Sequence, residues 1–209
     1  MSISHKIAVL TVDDHPLLRS GIAAVIQGEQ DMLVVGEATN GQEAIEAFKV
    51  HQPDVTLMDL QMPMMNGIDA ILAIRHEFPD ARFVVLTTYH GDVQALRALK
   101  AGAMGYLLKN MLREELINTI RAVHAGRRSI PAEIAMDIAE HVVDDALTDR
   151  EIAILRRVAA GTSNKMIASQ LAVSDATVKS HMKNILSKLG ANDRTHAVTI
   201  AMKRGFLDG

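Results

Sequence analysis

Five polar residues in the first 124 positions of the chain are of types that can hold a divalent cation or a phosphoryl group. Asp13 and Asp14 follow one apolar run, Asp59 ends another, and Thr87 and Lys109 follow two more. Carboxylates held ~4 Å apart repel by about 4 kcal/mol per pair at an effective dielectric near 20, so such a cluster must take up a proton or a cation. Oxygen ligands with open water positions favour Mg²⁺. Asp59 could then act as a carboxylate nucleophile towards phosphorus, with Lys109 neutralising a phosphoryl oxygen.

An alternation of strand and helix patterns in the first 124 residues predicts where these side chains lie. Aliphatic runs predict strands at 7–12, 33–35, 55–58, 83–86 and 106–108, and they are apolar almost throughout, as in strands buried on both faces. Helical spacing predicts helices at 16–27, 41–51, 67–77, 92–101 and 112–124. Five such pairs favour an α/β fold, a doubly wound five-stranded parallel sheet. Ligands of these sheets bind at the carboxyl ends of the strands, where all five polar residues are expected.

Residues 125–145 have the pattern of a linker that contains a short helix. Pro131 suits a first helical turn. Ile134, Ile138 and Val142 are spaced at four, which predicts an amphipathic helix.

Residues 146–209 have a purely helical pattern. Thr148 and Glu151 match a capping box, and Gly161 can end the helix that they begin. Three more helices are predicted at about 164–171, at 175–189, and from Asn192 or Asp193 to near Gly205. Four short helices, the second and third joined by a tight turn, predict a small all-α helix-turn-helix domain.

The third of these helices has two contrasting faces. Its apolar stripe, which we expect to be buried, consists of Val178, Met182, Ile185 and Leu189. The other face carries Lys179, Ser180, Lys183 and Asn184. Lysine can reach phosphates or guanine edges, and serine and asparagine can reach bases, so this face is a candidate DNA contact.

The overall composition conceals an asymmetry of charge. The chain has 209 residues, 48% of them hydrophobic, and a net charge of −3, which excludes wholesale disorder. Residues 1–145 hold 12 Lys and Arg against 20 Asp and Glu, a net −8; residues 146–209 hold 10 against 5, a net +5. The basic part is therefore the one expected to meet a polyanion. With no cysteine, no apolar run of membrane-spanning length and no signal-peptide pattern, we expect a cytoplasmic protein with no membrane partner.

Several motifs of the first part point to one family. They are Val12-Asp13-Asp14-His15, Met58-Asp59-Leu60-Gln61-Met62-Pro63 followed by Asn66-Gly67, Leu86-Thr87, and the stretch from Gly102 through Tyr106 to Lys109. Over about residues 5–124 they resemble the receiver domain of two-component response regulators, of flavodoxin-like fold.

The receiver resemblance implies a role for each site residue. Asp59 would be phosphorylated by a sensor histidine kinase or a small phosphodonor. Mg²⁺ or Mn²⁺ would be held by Asp13, Asp14, Asp59 and the backbone carbonyl of Gln61. Thr87 and Tyr106 stand at the family's switch positions: Thr87 would turn towards the phosphoryl group, and Tyr106 into the space it leaves. Lys109 stands at the phosphate-contacting position. Thr88 departs from the family, in which a small alanine is frequent, and this would restrict access to Asp59.

The C-terminal motifs point to a second family. They include Leu147-Thr148-Asp149-Arg150-Glu151, Ala160-Gly161 with Asn164-Lys165, Thr177-Val178-Lys179-Ser180-His181 and Arg194-Thr195. They resemble the LuxR-type helix-turn-helix, and the whole chain resembles the NarL/FixJ class of response regulators. The resemblance implies double-stranded promoter DNA as a partner and a homodimer formed on phosphorylation or on DNA. Major-groove contacts would come from Lys179, Ser180 and Lys183, and phosphate contacts from Asn164, Lys165, Thr177 and Arg194. Met166 stands where the family usually has glutamate, which should weaken the start of its helix.

We therefore expect a receiver at 1–124, a linker with a short helix at 125–145 and a DNA-binding domain at 146–209. The leading hypothesis is a phosphorylation-dependent transcription regulator whose only chemistry is its own phosphorylation and dephosphorylation at Asp59. An aspartyl-phosphate hydrolase is an alternative, but it commonly needs a second acid where this chain has Gln61. A regulator controlled by a small molecule is another, and it would need a roomy apolar pocket. His15, His181 and His196 lack metal-ligand spacing and are expected to be structural or surface residues.

Overall fold

A five-stranded parallel sheet forms the first of two compact units in the computed structural model, which describes residues 6–88, 92–110, 113–141 and 147–207. Its strands are β1 (Ile7–Val12), β2 (Met32–Ala38), β3 (Val55–Asp59), β4 (Phe83–Thr87) and β5 (Gly105–Leu108). Their order in the sheet is β2-β1-β3-β4-β5, with every pair parallel. This is the strand order of flavodoxin-like folds, and the expected fold class is confirmed.

Five helices accompany the sheet. They are α1 (Pro16–Gln27), α2 (Gly41–His51), α3 (Gly67–Glu77), α4 (Asp92–Ala101) and α5 (Arg113–His124). One face of the sheet packs against α1 and α5, where Ile26 and Ile120 are fully buried. On the other face the ring of Phe48 in α2 stacks on Phe83 of β4 at a centroid distance of 6.2 Å. Helices thus cover both faces of the sheet, and the strands bury apolar side chains on each face, which explains their continuously apolar sequences.

The strand that sequence patterns described least well is β2. A run at 33–35 was expected, whereas the strand extends over Met32–Ala38. It lies at an edge of the sheet, where Leu33 and Glu37 are exposed, and its apolar run ends at Val35. Its register against β1 shifts between Val9 and Leu10. Backbone pairing with β1 therefore extends β2 beyond the last residue of its apolar run.

The second unit is helical and contains α6 (Ala132–His141), α7 (Asp149–Ala159), α8 (Asn164–Gln170), α9 (Asp175–Lys188) and α10 (Arg194–Arg204). Val142, expected in the linker helix, lies outside the described residues. The expected apolar stripe of α9 is buried, together with Ile154 and Leu155 of α7 and Ala197 of α10. No helix in the described part of the chain is long and apolar enough to cross a membrane.

Candidate functional site

Asp59 lies at the carboxyl end of β3, near the middle of the sheet. Only 2% of the residue is exposed. Its Oδ2 is 2.6 Å from the Nζ of Lys109, which follows β5. The backbone N–H of Gln61 donates to Oδ1 at 3.2 Å. The carboxylate is therefore held by a buried ion pair and by the loop that follows its own strand.

The loop after β1 brings two further carboxylates to Asp59. Asp13 is 1% exposed, and its Oδ2 lies 2.8 Å from the same Lys109 Nζ. Its Oδ1 accepts a hydrogen bond from the backbone N–H of His15 at 2.8 Å. Asp14 is half-buried, with its Oδ1 2.8 Å from the Nδ1 of His15. One ammonium thus bridges carboxylates from two neighbouring strands.

These carboxylates form a group suited to a cation. One ligand atom from each of Asp13, Asp14, His15 and Asp59 lies within 4.8 Å of the others. Asp13 Oδ2 and Asp14 Oδ1 are buried and accept no well-aligned hydrogen bond within the described residues, although each has a basic nitrogen 2.8 Å away. An oxygen-rich donor set of three carboxylates, of which one ammonium offsets only part of the charge, fits a hard divalent cation such as Mg²⁺.

The electrostatics of the pocket oppose ionisation of Asp59. Burial raises the pKa of its carboxyl, and the charge of Asp13 raises it further, against the opposing contacts from Lys109 and Gln61. For Lys109, burial acts to lower the pKa, but the contacts with Asp13 and Asp59 prevail and the pKa is raised. The Lys109 ammonium therefore stays charged. Its single positive charge does not offset the negative charges of both Asp13 and Asp59.

Thr87 and Tyr106 form a buried polar pair beside the pocket. Thr87 ends β4 and is 1% exposed, and Tyr106 in β5 is fully buried. Their side chains are hydrogen-bonded to one another. Burial raises the pKa of Tyr106 to about 12, against the opposing effect of this bond. Tyr106 is thus buried in contact with Thr87, with no displacement of Thr87 from this contact.

Gly67 shows how tightly the site is built. It begins α3, and a Cβ at this position would lie 2.0 Å from the backbone oxygen of Asp59. Its N–H donates to the carbonyl of Leu60 at 3.1 Å. Glycine is therefore required for α3 to begin directly against the end of β3.

In the second unit, α8 and α9 form the two helices of the predicted motif, joined by a short turn. Ser163 caps α8 through a long bond of 3.5 Å from the N–H of Met166, whereas Ser174 caps α9 at 3.0 Å. The weaker start of α8 agrees with the loss of the family's glutamate. The helix before them, α7, has the full capping box of Thr148 and Glu151.

Most of the side chains expected to contact DNA are exposed, and some of them also have partners inside their own unit. Lys179, Ser180 and Lys183 lie on the exposed face of α9, as does Asn184. Lys179 also pairs with Asp175 of the same helix at 2.7 Å.

Of the four expected phosphate contacts, Lys165 and Arg194 are exposed, and Asn164 and Thr177 are half-buried. The Arg194 guanidinium donates to the carbonyl of Thr162 at 3.1 Å, and the Thr177 hydroxyl lies 2.8 Å from that of Ser174. Arg194 and Thr177 therefore also hold their own unit together.

Two residues near the acidic group make contacts there that the sequence did not indicate. His15, expected to be a structural or surface residue, is exposed, and its Nδ1 is also among the grouped ligand atoms. Arg19 in α1 reaches back to the backbone of Asp13. Adjacency to Asp13-Asp14 was a usable signal for His15, whereas Arg19 is one more polar residue on an amphipathic helix.

Comparison with known proteins places both units in established families. The family model described as the response regulator receiver domain matches residues 9–121. The model of bacterial regulatory proteins, luxR family, matches residues 145–201. The transcriptional regulatory protein YdfI of Bacillus subtilis (strain 168) is 39% identical over 207 residues, which cover 95% of this chain and 97% of that protein.

Solved structures agree with this assignment. The response regulator ChrA of a heme-sensing two-component system is 36% identical, with a TM-score of 0.58 over 97% of this chain and 99% of that one. RcsB, solved as two dimers bound to DNA, is 25% identical, with a TM-score of 0.71 over 95% of this chain and 99% of that one. The fold and the acidic site define a receiver joined to a helix-turn-helix module. The chain belongs to the LuxR-type response regulators, a family of transcriptional regulators.

Proposed function

We propose that this protein is a DNA-binding regulator switched by phosphorylation of Asp59, by a sensor histidine kinase or a small phosphodonor. The observation that carries the proposal is the position of Asp59, buried at the end of β3, with Lys109 at 2.6 Å and the carboxylates of Asp13 and Asp14 beside it. On this proposal residues 1–124 are the receiver, 125–145 the linker and 146–209 the reader of promoter DNA.

The chemistry is the transfer of a phosphoryl group from a donor to Asp59, and later from Asp59 to water. An oxygen of the Asp59 carboxylate forms a bond to phosphorus as the bond to the donor's nitrogen or oxygen breaks, which leaves an acyl phosphate on Asp59. Lys109, already in contact with this carboxylate, is placed to neutralise a phosphoryl oxygen. Later attack by water on the phosphorus restores the carboxylate, so the protein acts only on itself.

Asp13, Asp14, Asp59 and the backbone carbonyl of Gln61 are the groups that would hold Mg²⁺ or Mn²⁺. Such an ion would supply positive charge to offset the carboxylates and an incoming phosphoryl group. The grouping of these carboxylate oxygens and the raised pKa of Asp59 support this assignment.

Thr87 and Tyr106 would pass the change to the surface of the receiver. A phosphoryl group on Asp59 offers strong acceptors for the Thr87 hydroxyl. The contact between Thr87 and Tyr106 must then change its geometry or break. Because Tyr106 is fully buried, an altered partner inside the sheet changes the packing of β4 and β5. A change at this face would favour a homodimer that places two helix-turn-helix modules on paired half-sites.

Phosphorylation is tested with acetyl phosphate and Mg²⁺. Wild-type protein and the Asp80→Asn variant, which alters an exposed carboxylate of the same unit, should both gain a hydroxylamine-sensitive phosphoryl group. Asp59→Ala should gain none. Equal labelling of Asp59→Ala and wild type would overturn the assignment of the phosphoacceptor.

DNA binding is tested by selection from random duplexes with and without phosphodonor, followed by salt titration on the selected site. Lys179→Met and Lys183→Met should each weaken binding and lower the salt slope by about 1 if the lysine contacts phosphate, or relax preference at one base if it contacts guanine. Lys203→Met, an exposed lysine of α10, is the matched control. If the control loses as much affinity as Lys179→Met and Lys183→Met, α9 is not the contact.

A further inference from the structure

A single arginine holds the loop that carries Asp13 and Asp14. Arg19 lies in α1 one turn beyond His15, and only 14% of its side chain is exposed. Its Nη1 donates to the backbone carbonyl of Asp13 at 2.6 Å, and its Nε donates to the Glu37 carboxylate in β2 at 3.2 Å. The guanidinium therefore ties the end of β1 to its neighbouring strand.

The contact with the Asp13 carbonyl fixes more than one atom. A peptide unit is planar, so holding the carbonyl of Asp13 also fixes the orientation of the N–H of Asp14. The N–H of Asp13 is held separately, because it donates to the carbonyl of Ala38 at 3.1 Å. Both peptide units that flank the Asp13 side chain are thus anchored, and the step into Asp14 depends on Arg19.

The positive charge of Arg19 would by itself repel a cation, but two carboxylates offset it. Glu37 is in direct contact. Glu43 is the second: hydrogen bonds from Thr39 chiefly, and the charge of Arg19 more weakly, hold the pKa of the Glu43 carboxyl below its ordinary value. The guanidinium can therefore orient the loop while these two carboxylates offset its charge.

Only arginine has the geometry for this task. Nε and Nη1 belong to one rigid planar fork and reach two acceptors on different elements at once. A lysine in the same place could keep the charge but not both directions. We propose that Arg19 is a positioning residue for the cation-binding carboxylates, fixing the Asp13–Asp14 peptide in the arrangement that binds Mg²⁺. This inference rests on the proposed function of the acidic group.

The test measures Mg²⁺ affinity separately from chemistry. The chain has no tryptophan, so Mg²⁺ is titrated into the full-length, unphosphorylated protein and followed by amide chemical shifts. Loss of a hydrogen-bond partner that orients metal ligands typically weakens affinity by roughly 10-fold or more. We expect Arg19→Met to raise the Mg²⁺ dissociation constant about 10-fold. Its rate of phosphorylation by acetyl phosphate at saturating Mg²⁺ should stay within about twofold of wild type.

Three further variants separate positioning from charge and from general stability. Arg19→Lys should fall between wild type and Arg19→Met, and it carries the comparison should Arg19→Met fail to fold. Glu37→Gln keeps the bond from Arg19 to Asp13 but removes one of the two carboxylates that offset the Arg19 charge, so it should weaken Mg²⁺ affinity less than Arg19→Met does. Arg121→Met removes an arginine whose guanidinium lies 2.8 Å from Asp31 and does not contact the acidic loop. This variant should bind Mg²⁺ as the wild type does.

Contrary outcomes distinguish this inference from the proposed function. Unchanged or tighter Mg²⁺ binding by Arg19→Met, or an equal loss in Arg121→Met, overturns the positioning role while leaving the acidic site intact. No Mg²⁺ binding by the wild-type protein overturns the proposed metal site, and the inference with it.

Discussion

Replacing the candidate phosphoacceptor by its neutral isostere should stabilise the protein in the absence of divalent cations. Attraction between Asp59 and Lys109 at 2.6 Å amounts to about 6 kcal/mol at an effective dielectric of 20. Repulsion from Asp13 and Asp14, with ligand atoms within 4.8 Å, amounts to about 3.5 kcal/mol for each. These terms nearly cancel, so the desolvation of a buried carboxylate, several kcal/mol after relaxation, decides the sign.

We therefore expect Asp59→Asn to raise the free energy of unfolding by about 1–3 kcal/mol in EDTA at neutral pH. Lys109 keeps Asp13 as a partner, which limits the loss of attraction. The melting temperature should rise by roughly 2–4 °C per kcal/mol. The measurement is thermal unfolding followed by circular dichroism, with the exposed Asp80→Asn as control.

The pH and Mg²⁺ dependences of this gain follow from its cause. The folded-state pKa of Asp59 is raised, so its ionised form destabilises the fold above that pKa, and the penalty disappears as the carboxyl is protonated in acid. The advantage of Asp59→Asn should thus be larger at pH 8 than near pH 4. Saturating Mg²⁺ should reduce it, because ligand binding stabilises the wild type. A lower melting temperature for Asp59→Asn in EDTA would refute the reasoning, as would a gain that is equal at both pH values.

Three further substitutions test the packing. Glu151→Gln removes the carboxylate 2.8 Å from Lys188 and should cost about 1–2 kcal/mol near pH 7 by urea unfolding. Burial acts to raise the pKa of Glu151, but contacts led by Lys188 hold it below its ordinary value. The stability that the ionised Glu151 contributes must therefore be lost as pH falls through its folded-state pKa. A deficit of Glu151→Gln that does not change with pH would contradict this. The Thr56 hydroxyl is fully buried and has no hydrogen-bond partner within the described chain. Thr56→Val should therefore add about 1 kcal/mol to the unfolding free energy. A clear loss of stability would show that the hydroxyl makes a hydrogen bond. Ala172, between α8 and α9, has φ 53°, so Ala172→Gly should raise the melting temperature by relieving up to about 1 kcal/mol, whereas Ala153→Gly within α7 should lower it.

The sheet was predictable because its strands are buried on both faces. Continuous apolar runs locate β3 and β4 to within one residue of their ends. The exception, β2, depends on hydrogen bonds to β1 through Gly36 and Glu37, and no side-chain pattern records these. Hydropathy thus identifies a strand by what it buries, and an edge strand buries least.

The members of the acidic site were predictable from topology, whereas their contacts were not. Carboxyl ends of parallel strands meet at one edge, which brings Asp13, Asp59 and Lys109 together. Sequence placed Lys109 as a partner for phosphate, but its Nζ bridges the two carboxylates directly. Likewise, the burial of Tyr106 depends on the packing of β4 and β5 around Thr87. Spacing along the chain identifies residues that can meet, and only the folded backbone fixes which atoms do.

The charges of the pocket explain why one ammonium is not enough. Asp13, Asp14 and Asp59 bring three negative charges, and Lys109 returns one positive charge, leaving an excess that matches a divalent cation. On the proposed function, phosphorylation replaces the single charge of the Asp59 carboxylate with close to two on the phosphoryl oxygens. Lys109 then has a stronger acceptor than Asp13 within reach, and moving towards it would break the contact of Lys109 with the Asp13 carboxylate. The ion pair of the unphosphorylated pocket is therefore the contact that phosphorylation is expected to redistribute first.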